Sequence, residues 1–220
     1  RVADRQTRRA LHGQADEDAT GPDQFEIALR LLKRQGYLAW LAMNLSGTEP
    51  LPGLPPPGSP EALQRGLVRV DRNGLADGPC YNPLNAEVRA ALKRRLEEAV
   101  APPEGVPRVS GILLRLGSGP TLLGSPDTGI DDETFTRFVR ETFGPGGSDG
   151  IPGLGHDDPE RFAARAKYVT SAGRMPWLTW RSQAIAAHYA ELNEAVRKAS
   201  PQAVLALTTP ALHDETAGVE

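Results

Sequence analysis

With 220 residues the chain is long enough to bury a sizeable core within a single domain. Its formal net charge of −3 makes no electrostatic case for nucleic acid, which asks for clustered basic surface. A lone cysteine, Cys80, excludes an intrachain disulfide and a thiolate metal cluster, and no apolar run approaches the roughly 20 residues that span a bilayer.

Residues 1–23 are polar and charge-mixed, and read as a surface segment. Asp23 with Glu26 fits a capping box, and Phe25, Ala28, Leu29 and Leu32 then recur at helical spacing up to Gly36. Tyr37 to Leu45 is almost continuously apolar, which predicts a strand buried on both faces, as in a parallel sheet. Ser46 to Pro60 is dense in Pro and Gly and reads as loop. Leu67 to Gly74 alternates and then turns, suggesting a short hairpin arm.

A helix from about Asn85 to Val100 carries Val88, Ala91, Leu92, Leu96, Ala99 and Val100 on one stripe, and Ile112 to Leu116 is the next predicted strand. After a loop from Gly117 to Ile130, Asp131 caps a helix with Phe135, Phe138 and Val139 facing inward. Asp158-Pro159 opens a further helix. Gly173 and Pro176 separate it from a long amphipathic helix, Trp177 to Ala199, and Ala203 to Thr208 is a third predicted strand. Strands alternating with helices imply parallel pairing through crossovers, and long loops after strands place a site at the strands' carboxyl ends. The expected domain is 24–210, with 211–220 a loop. A start at Arg1 and an end without a stop signal suggest a piece of a longer protein.

Two segments carry a family signal: Leu67 to Arg89, which includes Tyr81-Asn82-Pro83, and Trp177-Leu178-Thr179-Trp180-Arg181. With the strand Ser110-Gly111-Ile112-Leu113-Leu114-Arg115 they resemble glycosyl-hydrolase-like family ten, over roughly Tyr37 to Pro210. The resemblance implies an α/β fold of the (β/α)8 type, here a partial barrel of parallel strands alternating with helices. It also implies glycosidase-like activity on a carbohydrate ligand, and export. In that family the strand takes the form Asp-Gly-Ile-x-Leu-Asp, so Ser110 and Arg115 replace both acids. A guanidinium is permanently protonated and serves neither as base nor as nucleophile. Either other carboxylates act, or the chain is a silent module that binds a glycan or a protein.

Glycoside cleavage commonly needs two carboxyl groups, about 5 Å apart for retention or roughly 6.5–9.5 Å for inversion. Asp127, on the loop after the second strand, is the catalytic candidate, against a simple turn role. Asp131 and Asp132 read as an N-cap and a first-turn acid, and Glu49 as part of a proline-rich spacer. Asn44 could bond a sugar hydroxyl or satisfy a loop amide. Tyr81 could stack on a sugar ring, and Asn82 stands beside it at the helix entry. Arg115 could recognise an anionic or polyhydroxyl ligand, or form an ion pair inside the barrel. Trp177 and Trp180 read as core anchors. The histidines are scattered, and Gly117-Ser118-Gly119 lacks the flanking pattern of a phosphate loop, so neither metal nor cofactor is expected.

Overall fold

A computed structural model describes residues 24–44, 50–101, 106–116, 123–145 and 149–208. In chain order these form α1 (Gln24–Arg34), β1 (Trp40–Asn44), α2 (Pro60–Gln64), β2 (Val68–Val70) and β3 (Ala76–Tyr81). There follow α3 (Ala86–Val100), β4 (Gly111–Arg115), α4 (Asp132–Phe143), α5 (Arg161–Thr170), α6 (Arg174–Ala199) and β5 (Val204–Thr208).

Strands β1, β4 and β5 make one parallel sheet in that order, with Trp40, Gly111 and Val204 level at one end and Asn44, Arg115 and Thr208 level at the other. Strands β2 and β3 pair antiparallel as a separate hairpin, with a register irregularity between Val68 and Val70. This overturns the (β/α)8 expectation. A closed barrel pairs every strand on both sides, whereas β1 and β5 each have one partner among the described residues. Among the described residues the sheet is open, and the helix–strand alternation that suggested a barrel belongs to any parallel α/β sheet.

Burial on both faces is corrected too. Leu41, Met43, Ile112 and Leu114 point into a core shared with Val88, Leu92 and Leu96 of α3 and Leu192 and Val196 of α6. The other face carries Trp40, 45 % exposed, along with exposed Ala42, Val204 and Arg115. Glycine at 111 is required where the central strand β4 passes between β1 and β5. A Cβ there would lie 2.5 Å from the Val204 carbonyl oxygen and 2.7 Å from the Trp40 ring.

A second core joins α4, α5 and α6 through Phe135, Phe138, Val169, Trp177 and Trp180, with Val70, Leu84 and Ile130 beneath. Caps set the helix starts. The Asn85 side chain accepts from the Glu87 and Val88 amides, and Asp131 from that of Thr134. Pro176 sits inside the first turn of α6, where a missing amide costs nothing, so that helix begins at Arg174 rather than after the proline. Ser59 caps α2 within the stretch read as loop.

Tyr81, at the end of β3, is fully buried. Its hydroxyl donates to the Pro55 carbonyl at 2.7 Å and accepts from the Leu51 amide at 3.2 Å, which fastens the proline-rich loop to the core. Removing that hydroxyl leaves two loop groups without a partner. Tyr81→Phe is expected to cost about 1–3 kcal/mol, measured by urea denaturation, and to speed proteolysis in the 50–58 stretch. Unchanged stability would show that this anchor contributes nothing.

Candidate functional site

Parallel strands present their carboxyl ends to the same side, and three residues stand level there: Asn44, Arg115 and Thr208. Arg115 is exposed and makes no ion pair among the described residues. The charge that looked costly on an apolar strand is therefore solvated at the strand's end. Adjacent to it, the Leu116 amide donates to the Thr208 carbonyl and holds the two strand ends together. The segments that follow these strands, 45–49, 117–122 and 209–220, fall outside the described residues. Glu49, His213 and Gly117-Ser118-Gly119 lie there.

The chain returns at Leu123 into a turn that two helical residues grip. Arg181 Nη1 donates to the Ser125 carbonyl at 2.9 Å and Nη2 to the Gly124 carbonyl at 2.9 Å. Trp177 Nε1 donates to the Pro126 carbonyl at 2.6 Å. On the far side Arg69 of β2 stands 3.7 Å from Asp77 of β3, and the Gly129 amide bonds the Val70 carbonyl. Gly124 is packed so tightly that a Cβ would come within 2.8 Å of Arg69 Nη1 and 2.6 Å of Thr128 Oγ1. Burial, and secondarily the neighbouring Arg69 charge, bring the Arg181 guanidinium down to about 10, still charged at neutral pH.

Asp127 sits at the tip of this turn and accepts from the Ser125 hydroxyl. That is the turn role. The other carboxylates nearby are equally committed. Asp131 is 3 % exposed; one oxygen accepts from the Thr134 amide at 2.9 Å and the other from Asn82 Nδ2 at 2.7 Å. Burial, opposed by those bonds, pushes it up to about 7. Such a value suits a general acid, yet both oxygens are used and the side chain is buried. Asp132 is held by Arg165 at 2.7 Å and Arg161 at 3.1 Å. Burial alone would raise it, but the two guanidinium groups outweigh that and keep its carboxyl below the usual range. Glu133 accepts from Asn85 Nδ2 at 2.6 Å. Each of these four carboxylates is thus engaged by a turn, a helix start or an ion pair.

Of the expected binding residues, then, Asn44 and Arg115 are brought together, and Tyr81 and Asn82 are not. Asn82 is 1 % exposed and spends its amide on Asp131 and Thr134, joining the starts of α3 and α4. Trp177 and Trp180 are core, as their spacing indicated. Residue-type reasoning missed Arg69. The alternation of Val68-Arg69-Val70 would send it to solvent, but all three are buried because the 123–129 turn lies over them. It also missed Arg165, which is wholly buried, with its Nη1 on Asp132 and Ile130 and its Nη2 without a hydrogen bond.

Among the described residues no group of three or more His, Cys, Asp or Glu side chains could hold a metal ion, and no helix is long and apolar enough to cross a membrane. Comparison of the chain with family models, with curated proteins and with solved structures gives no match.

Proposed function

We propose that this chain binds a carbohydrate at the carboxyl-terminal rim of its three-stranded sheet and does not hydrolyse it. The observation that carries this reading is Arg115: an exposed guanidinium at the end of the central strand, level with Asn44 and Thr208, with no ion pair among the described residues. Its planar fork of donors suits sugar hydroxyls and, bidentately, the carboxylate of an acidic sugar. The likeness of Leu67–Arg89 and the Trp177–Arg181 segment to glycosyl-hydrolase-like family ten points to the same ligand class. Against hydrolysis stand Arg115 at the position of that family's acid and the capping, turn and ion-pair duties of Asp127, Asp131 and Asp132.

Titration calorimetry with neutral and uronic-acid oligosaccharides tests the reading. The acidic series should bind more tightly, Arg115→Ala should weaken it at least tenfold, as expected for loss of a charged hydrogen bond, and Arg115→Lys should recover part of the loss. No reducing sugar should be released. Equal binding by Arg115→Ala would remove the site, and steady release of reducing sugar would return the chain to the hydrolases.

A further inference from the structure

Six of the eleven large apolar side chains left exposed among the described residues fall within one short stretch: Ile27, Leu31, Leu32, Tyr37, Leu38 and Trp40. Helix α1 turns only part of its apolar stripe to the core, through Leu29 and the partly buried Phe25. Ile27 at 42 %, Leu31 at 56 % and Leu32 at 41 % remain in solvent. The chain then folds back at Gly36, with the Tyr37 amide on the Leu32 carbonyl, which sets Tyr37 next to the helix end and leaves Leu38 exposed after it.

The charge of this stretch differs from that of the rest of the chain. Residues 24–40 carry Arg30, Lys33 and Arg34 against Glu26 alone, in a chain whose formal net charge is −3. Glu26 is bonded to Arg30, so Lys33 and Arg34 supply the surplus. An open groove of about 670 Å³ runs between them, lined by Ile27, Leu31 and Pro107 as well as the three cations.

From these features we infer that α1 and the β1 entry form a docking face for an anionic phospholipid surface. Three observations favour lipid. Aliphatic side chains lie on one arc of α1 with cations along its edge, the arrangement of helices that rest in the headgroup plane. Tyr37, 66 % exposed, adds a ring with one apolar and one polar end, a residue type enriched at that depth. The positive surplus complements anionic headgroups, while the groove beside Ile27 and Leu31 admits an acyl chain. Such a face lies on a bilayer and needs no spanning helix, in keeping with the absence of one among the described residues.

The test uses the full chain with vesicles of phosphatidylcholine alone and of equal parts phosphatidylcholine and phosphatidylglycerol. The protein should sediment with the anionic vesicles only and be released by salt. Lys33→Gln and Arg34→Gln should each weaken binding roughly fivefold, and Leu31→Glu should abolish it. These side chains are exposed, and circular dichroism checks that each variant folds; the glutamine pair serves if Leu31→Glu does not. Failure to sediment with either vesicle, or binding that ignores both the cations and Leu31, overturns the inference. A concentration-dependent dimer that Leu31→Glu dissociates, without vesicle binding, gives the face to a second copy instead.

Discussion

Between pH 4 and 6.5 the Asp131→Asn variant should gain stability as pH rises, whereas His188→Leu should lose it. The two residues have opposite linkage. Burial pushes the Asp131 carboxyl up to about 7, from an ordinary 3.8. The folded state then holds a proton that the unfolded chain has released, so its contribution is complete below about pH 4 and is lost as pH rises through 7. The loss amounts to up to about 4 kcal/mol at 1.4 kcal/mol per unit.

His188 is buried between α6 and α3 with its Nδ1 unbonded, and burial, aided by the nearby Arg89 charge, takes it down to about 4. It folds neutral. Its contribution is complete above pH 6.5 and is lost as pH falls towards 4, by up to about 3 kcal/mol. In the unaltered chain the two slopes largely cancel over this window, leaving a nearly level profile that declines only as pH approaches 7. Each substitution removes one slope and exposes the other. Urea titrations at several pH values measure this directly. A level profile in Asp131→Asn would mean that His188 is not buried neutral.

Trp177→Ala should destabilise the chain by about 3–5 kcal/mol, the range for a truncated buried tryptophan. The ring is fully buried, stacks on Trp180 at 5.4 Å between centroids, and meets Phe138 edge-on at 5.0 Å. Its indole also bonds the Pro126 carbonyl, and the Arg181 guanidinium lies over it at 5.3 Å. The alanine variant should therefore lose the second core and the grip on the 123–129 turn together. Trp177→Phe, which keeps most of the packing but not the bond, separates the two and should cost about 1–3 kcal/mol. A cost below about 1 kcal/mol for the alanine variant would show that the aromatic cluster carries little of the stability.

What could be read from the sequence was local. Asn85 and Asp131 are capping residues at the head of apolar stripes, and each begins a helix where its chemistry says. The three parallel strands were found to within a residue or two at most ends, because short apolar runs flanked by breakers leave few alternatives. Closure of a sheet is a different kind of property. It depends on which edges pair, and no single segment such as Val109–Leu116 encodes that. The misjudged burial of Tyr37–Leu45 has the same origin, since an apolar run does not record how many of its faces are covered. Tyr81 read as a rim residue because Asn82-Pro83 follows it; its place at the end of β3 and its reach to Pro55 are tertiary facts. Of the candidate site, only the pairing of Asn44 with Arg115 could be anticipated, as both lie at predicted strand ends.

The order of the sheet also bears on how fast the chain can reach it. Trp40 pairs with Gly111, about 70 residues on, and Gly111 pairs with Val204, about 90 residues further. Both closures must draw in long crossovers before any ladder bond forms, and loop entropy opposes each. Helices α4, α5 and α6 meet around Phe135, Phe138 and Trp177 over separations of about 40 residues, so their closure costs less. The helical layer is expected to assemble first, and α6 together with α3 then offers the apolar surface on which β4 is laid, with β1 and β5 adding at its edges. In stopped-flow refolding, tryptophan burial at Trp177 and Trp180 should precede protection of the β4 amides from hydrogen exchange.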